Sequence, residues 1–246
     1  MKIKDIIGSE QVTISFEVFP PKASEKFENV LRACESIASL KPAYISVTYG
    51  AGGGRSAFTA ELAQQIQEKT GVPVLAHLTC VSSTRESVED MLDEYKNRGI
   101  TNVLALRGDI PEGGCMEEDY HYAGELVAEI RKKGDFCIGG ACFPEGHIEC
   151  EHKADDLKHL KEKVDAGCDF LTTQMFFDNN IFYNFLYRAK DIGIQVPVVP
   201  GIMPITTAKQ LSRSVAMSGT NVPDRFRAIV DRFGSDPKAM MQAGIV

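Results

Sequence analysis

Five short apolar runs in this sequence end in polar side chains that packing alone would not select, and their types define the chemistry to look for. The first ends Ser15-Phe16-Glu17-Val18-Phe19-Pro20-Pro21, and a period of two puts Glu17 on one face with Ser15 and Thr13. A carboxyl in such a mouth loses water, so its pKa rises and it can hold a proton for general acid work. The alternative is an outward Glu17, or one paired with Lys22. Leu104-Ala105-Leu106-Arg107-Gly108-Asp109 delivers a cation and a carboxylate on one face, with Gly108 between them to let a ligand approach the backbone. A further run ends with His77 and Thr79 on one face, and another with Thr172 and Gln174. Gln174 carries both donors and an acceptor, which suits an amide- or pterin-like ring edge.

Other patterns are weaker. Thr48-Tyr49-Gly50-Ala51-Gly52-Gly53-Gly54-Arg55-Ser56 is glycine-rich but puts Arg55 where a dinucleotide fingerprint needs its third glycine, so it reads as a tight ligand-facing turn. Cys142, His147, Cys150 and His152 could each ligate zinc, yet their spacing matches no common zinc pattern. No metal is expected, and His147 reads better as a loop histidine beside an anionic ligand. The G-x-S-x-G elbow of serine hydrolases is missing.

Residues at strand ends need a scaffold that gathers strand ends. Strands are expected at Val12–Phe19, Ala43–Tyr49, Pro73–Thr79, Asn102–Arg107, Phe136–Phe143, Phe170–Met175 and Val196–Gly201. Between them Lys26–Leu40, Ala57–Thr70, Thr84–Arg98, Glu118–Lys133 and Lys153–Ala166 repeat apolar residues at helical spacing. Gly99, Gly167 and Gly193 stand where left-handed helix C-caps fall. The alternation predicts an α/β fold, a TIM (β/α)8 barrel, with residues 1–246 as a single catalytic domain. After the last expected strand come helices near Thr206–Met217 and Val222–Phe233, and then Ile245-Val246. The eighth β/α unit is thus expected to be missing from this chain. An open parallel sheet is the competing architecture.

Composition narrows the function classes. The chain has 246 residues, 43% of them hydrophobic and 25% charged, which is ordinary globular composition. A formal charge of −7 disfavours a nucleic-acid binder, which needs a basic surface. No run approaches the roughly 18 apolar residues of a membrane span, and the N-terminus lacks a signal-peptide core. The 7 cysteines include no C-x-x-C pair and suit reduced thiols, so the cytoplasm is the expected compartment.

Taken together, Ser15-Phe-Glu-Val-Phe-Pro-Pro-Lys22, Ser46-Val-Thr-Tyr-Gly50, Ala76-His-Leu-Thr-Cys80, Leu104-Ala-Leu-Arg-Gly-Asp109, Thr173-Gln-Met-Phe-Phe-Asp178 and Val199-Pro-Gly-Ile-Met-Pro204 resemble the flavoprotein methylenetetrahydrofolate reductases, in their bacterial single-domain form. The motifs occur in order over almost the whole chain. The resemblance implies a barrel that holds FAD, is reduced by NADH or NADPH, and then reduces 5,10-methylenetetrahydrofolate to 5-methyltetrahydrofolate in ping-pong fashion. It makes Glu17 the general acid and Asp109 the carboxylate near pterin and flavin. Gln174 and Gln210 become folate contacts. For FAD it implies Thr48, Tyr49, Ala51, His77, Arg107, Gly108, Asp109, Ala123, Phe143, His147, Asp156 and Lys163.

Some positions depart from the pattern. Phe143 replaces a common Tyr, which keeps ring packing without the hydroxyl, while His159 and Glu162 replace more usual polar and basic residues. Ser214 stands where some members carry Phe, and an arginine that meets the folate tail falls beyond Val246. The resemblance also implies a homo-oligomer, in some relatives an electron-transfer partner subunit. The rival readings are another flavin barrel such as a proline dehydrogenase, whose arginine-rich carboxylate clamp is not found, or a non-catalytic folate-binding subunit. The leading reading requires Glu17, His77, Arg107, Asp109 and Gln174 to converge.

Overall fold

Among the residues described by the computed structural model, 1–9, 11–21, 23–49, 56–110 and 119–245, the strands form one parallel sheet in chain order. They are β1 (Phe16–Val18), β2 (Ile45–Val47), β3 (Val74–Thr79), β4 (Asn102–Leu106), β5 (Cys137–Cys142), β6 (Phe170–Thr173) and β7 (Val198–Val199). Parallel neighbours need crossover connections. These are α2 (Phe27–Ala38), α3 (Ser56–Thr70), α4 (Arg85–Asn97), α5 (Ala123–Lys133), α6 (Lys153–Asp165) and α7 (Asn179–Asp191). A short α1 (Ile3–Ile7) precedes the sheet, and α8 (Ala208–Ser218), α9 (Asp224–Phe233) and α10 (Pro237–Ala243) follow it.

The expected α/β alternation is therefore present, with differences at element ends. β1 and β7 are much shorter than their β-branched runs. In β7 the flanking Pro197 and Pro200 have no N–H to give a ladder and can only accept, so the strand is confined to the two residues between them. In β1 the first residues, Val12 and Ile14, lie exposed, although Ile14 O still accepts from Ala43 N at 2.8 Å. α5 starts at Ala123 rather than Glu118, because Glu125 Oε2 accepts from His121 N and Tyr122 N and fixes the helix start there. Glu118 itself lies outside the described residues, as does Cys115.

The chain divides into two compact units. The first comprises Met1–Gly140 and Lys163–Phe170. Its registers align Glu17 with Ser46 and Ser46 with Leu75, and then His77 with Leu104 and Leu104 with Gly139. One sheet face carries Val18, Val47, Ala76, Leu78, Val103, Ala105 and Ile138, which pack on the apolar stripes of α2 to α5. Glu17, Ser46 and His77 alternate with those residues and so point to the other face. Gly139 is on that face too. A Cβ there would come within 2.6 Å of the Phe170 ring, so the aromatic fills the space the glycine leaves.

At the N-terminal ends of these strands α1 is tied down by side chains. Asn102 Oδ1 accepts from Ile3 N at 2.9 Å, while its Nδ2 donates to Val74 O at 3.1 Å and Met1 O at 3.2 Å. Asp169 accepts from Lys4 Nζ at 3.1 Å, from Ile138 N at 2.8 Å and from Arg131.

The second unit comprises Ala141–Glu162 and Leu171–Val246. Its strand pairing includes Gln174 N to Cys142 O at 2.7 Å and Leu171 N to Pro197 O at 2.8 Å. Ile205, Leu211, Val222 and Met240 form a small core under α8 to α10. No helix among the described residues is long and apolar enough to cross a membrane.

Candidate active site

Glu17 is the middle residue of β1. Its neighbour Val18 turns into the helix-covered core, which sends the carboxyl to the opposite face. The side chain is 51% exposed, yet its surroundings remove enough water to raise its pKa above the usual carboxylate value. One oxygen, Oε2, lies 3.7 Å from Nε2 of His77. That imidazole is buried, and burial drives its pKa down to about 3, so the ring is neutral. The 3.7 Å contact is therefore not an ion pair. Ser46 Oγ instead sits 2.6 Å from the same Nε2. From behind, the Tyr95 hydroxyl donates to His77 O at 2.8 Å and anchors the strand.

Thr48 and Tyr49 follow β2 directly. Thr48 N donates to Val18 O at 3.0 Å and Thr48 O accepts from Thr59 Oγ1 at 3.0 Å, which ties this turn to β1 and to α3. Tyr49 is half-buried against the core, whereas Ala51 and the rest of the glycine-rich turn lie outside the described residues, as does Lys22. β4 ends at Leu106, and Arg107 O accepts from Val81 N at 2.8 Å, holding Arg107 beside the end of β3. Gly108 takes φ +89°, and a Cβ there would meet Val81 at 2.7 Å. The strand alternation that placed Arg107 and Asp109 on one face therefore stops short of them. Asp109 lies exposed after this bend, while Arg107 Nε donates to Gly108 O at 3.2 Å.

Ala123 opens α5, and the next residue, Gly124, packs on Lys163: a Cβ at Gly124 would lie 3.8 Å from Lys163 Cα. A helix N-terminus beside a lysine is a favourable setting for an anion. The first unit thus brings Glu17 and His77 into one cluster, sets Arg107 at the end of β3, and brings Gly124, the second residue of α5, to Lys163.

Phe143, His147, Asp156, Gln174 and Gln210 belong to the second unit. The Phe143 and His147 rings meet edge to face at 4.6 Å, and His147 Nδ1 accepts from Glu149 N at 3.2 Å. In a neutral ring that bond leaves Nε2–H as a donor. Asp156 sits half-buried on α6, and His159 on the same helix meets Glu162 at 3.2 Å. Gln174 Oε1 accepts from Met175 N at 3.0 Å. Gln210 is engaged locally: its Oε1 accepts from Thr206 N at 3.0 Å and its Nε2 donates to Pro204 O at 3.1 Å, which secures the start of α8. Ser214 is buried in α8. Thr172 Oγ1 is buried with no partner among the described residues. No three His, Cys, Asp or Glu side chains among the described residues gather as a metal-holding group, and Cys150 Sγ is engaged with His152 O at 3.3 Å.

Sequence reasoning missed Ser46 and Tyr95. The signal for Ser46 was a single hydroxyl between Ile45 and Val47 in an otherwise apolar strand.

Comparison with known proteins gives a consistent picture. The family model for methylenetetrahydrofolate reductase matches residues 2–246. The 5,10-methylenetetrahydrofolate reductase of Pectobacterium carotovorum is 37% identical over 234 residues, covering 95% of this chain and 78% of that protein. The Escherichia coli protein of the same name is 36% identical with the same coverage. Methylenetetrahydrofolate reductase (NADH) 1 of Zea mays is 38% identical over 259 residues, and the match spans 44% of its length. Among solved structures, an uncharacterized protein from Clostridium thermocellum that binds two copies of 5-methyl-5,6,7,8-tetrahydrofolic acid superposes with a TM-score of 0.68 at 14% identity, over 99% of this chain and 85% of that one. A tryptophan synthase alpha-subunit from Pyrococcus furiosus superposes at 0.54 and 12% identity, over 95% of this chain and 96% of that one. These structural likenesses bear on the fold, and the sequence matches establish that the chain belongs to the methylenetetrahydrofolate reductase family.

Proposed function

We propose that this chain reduces 5,10-methylenetetrahydrofolate to 5-methyltetrahydrofolate with FAD as its cofactor and NADH or NADPH as reductant, in the cytoplasm. The strands would be staves of a (β/α)8-type barrel in which residues 1–246 form one catalytic domain. Bound FAD would supply hydride acceptance from the nicotinamide and hydride donation to the folate. The residues fit such a group. Arg107 and Lys163 supply cationic character for a diphosphate, the α5 N-terminus at Ala123 adds its dipole, and Gly108 offers bare backbone. Thr48, Tyr49, His77, Phe143, His147 and Asp156 would complete the contacts, together with Ala51.

The chemistry left to the chain is proton handling and charge. Opening the methylene bridge needs a proton on the departing nitrogen, and Glu17 would supply it: desolvation shifts its pKa upward, toward the range of a general acid, and its exposed side is open to a substrate. Asp109 would place negative charge near the cationic iminium that results. Gln174 would hold a ring edge through its amide, and Gln210 would contact the folate only after giving up its bonds to Thr206 and Pro204.

The observation that carries this reading is the Glu17 carboxyl, its pKa raised by desolvation, set 3.7 Å from the buried imidazole of His77. Glu17→Gln is expected to slow the folate half-reaction by about a hundredfold or more, the usual worth of a general acid. Bleaching of the flavin by NADH or NADPH under anaerobic conditions should stay within about twofold of the parent. If both half-reactions fall together, Glu17 has a structural role and the assignment is wrong.

A further inference from the structure

Between the acid and the imidazole stands Ser46. β2 lies between β1 and β3, Ser46 is in register with Glu17, and His77 follows the β3 residue aligned with Ser46 by two positions on the same face. A neutral imidazole nitrogen has one in-plane site, as donor or acceptor. At Nε2 that site is taken by Ser46 Oγ at 2.6 Å, while Glu17 Oε2 waits at 3.7 Å.

We infer that Ser46 is a positioning residue for the proton donor: its hydroxyl donates to His77 Nε2, fixes the ring proton on Nδ1, and keeps the imidazole from pairing with Glu17. The inference rests on the proposed role of Glu17 as acid. Without the Ser46 hydroxyl, Nε2 would be a buried acceptor lacking that partner, which is unfavourable. The carboxyl is next in reach. A shift of about 1 Å would bring it to hydrogen-bonding distance. The Glu17 O–H bond would break and an Nε2–H bond would form, giving a carboxylate and an imidazolium that hold each other. The acid would then have spent its proton on the protein.

Among the described residues, the neighbouring groups Leu104, Tyr95 and Tyr44 do not offer this escape. Leu104 faces it in register from β4, and the Tyr95 hydroxyl is engaged with the His77 backbone oxygen. Tyr44, just before β2, is buried, bonds Ser15 and is electrostatically coupled to Glu17, so it lies on the acid's side of the cluster.

The test reads the imidazole directly, by 15N NMR of histidine-labelled protein as isolated, with His77 identified from the signals lost in His77→Gln. In the parent, His77 should stay neutral from pH 8 to pH 5. In Ser46→Ala its two nitrogens should become imidazolium-like within that range, and Ser46→Thr, which keeps the hydroxyl, should restore the parent spectrum. The double variant Ser46→Ala with Glu17→Gln should stay neutral, because the carboxylate that would hold the proton is gone. The folate half-reaction of Ser46→Ala should fall about tenfold or more, with the nicotinamide half-reaction changing less than about twofold. An unchanged His77 spectrum in Ser46→Ala, or protonation that persists in the double variant, overturns the inference. Should Ser46→Ala not fold, Ser46→Cys, a weaker donor, carries the same expectation at smaller amplitude. Failure of Glu17→Gln to slow folate reduction would instead count against the catalytic assignment, since the NMR result does not depend on turnover.

Discussion

The first unit holds two polar clusters, one along β1 to β3 and one where β4 to β6 begin, and they are built on opposite rules. At the N-terminal ends, Asn102 uses its oxygen once and its nitrogen twice, and Asp169 gathers Lys4, Arg131 and Ile138 N. Burial alone would raise the Asp169 pKa, but these hydrogen bonds and charges outweigh it and hold the carboxyl below its usual value. Along β1 to β3, Glu17 has no such set of donors among the described residues and its pKa goes up, while burial drives that of His77 down to about 3. A saturated cluster fastens the chain. An under-supplied one stores a movable proton.

The sharpest way to break this contrast is to empty the saturated cluster. Asp169→Ala would leave Lys4 and Arg131 facing each other with no carboxylate between them, and Ile138 N without its acceptor. With the Asp169 side chain 13% exposed but Lys4 and Arg131 reaching solvent, the loss should be about 1.5–3 kcal/mol, the usual worth of hydrogen bonds to a charged group. Urea unfolding would measure it. A loss under about 1 kcal/mol would mean that water already does the work assigned to Asp169.

The under-supplied cluster should show itself as acid sensitivity. His77 has a folded pKa of about 3 against 6.5 for an ordinary histidine, so between those values the unfolded chain binds a proton that the folded chain refuses. Its contribution is complete above pH 6.5 and is lost as pH falls toward 3, at about 1.4 kcal/mol per pH unit. His77→Gln should therefore flatten the stability profile between pH 6 and pH 4.5, a window above the region where Asp169 takes up its proton. Parallel profiles for parent and variant would show that the ring is not neutral in the fold.

Much of the Glu17–His77 cluster is legible in the sequence, and little of the Asn102–Asp169 cluster is. Period two along Ser15-Phe16-Glu17 and along Leu75-Ala76-His77 is a property of a single strand, so both faces could be read from sequence. Ser46 was not recognised because its partner lies across a strand register, and register is set by packing that no single run encodes. Asp109 shows the limit from the other side: alternation was carried past the point where Gly108, at φ +89°, ends it. The N-terminal cluster was invisible because Asn102, Lys4 and Asp169 are separated by long stretches of chain and each alone resembles an ordinary polar residue at an element boundary. The helices were easier, since amphipathic spacing and caps such as Thr84, whose oxygen accepts from Ser87 N at 3.1 Å, are local.

One further pair sharpens what saturation means. Lys2 and Asp135 form an ion pair close to the Asp169 cluster in sequence and of the same sign pattern, but the Asp135 side chain is 87% exposed. Lys2 lowers the Asp135 pKa by hydrogen bond and charge, as Lys4 and Arg131 do for Asp169. The two carboxylates thus shift in the same direction and differ in burial. An exposed carboxylate that loses its lysine is solvated at once, and salt screens what attraction remains. Asp135→Asn should accordingly leave the unfolding midpoint unchanged within error, in the same titration that detects Asp169→Ala. If the exposed substitution cost as much as the buried one, the ion pairs themselves, and not the exclusion of water around Asp169, would be what holds α1 to the sheet.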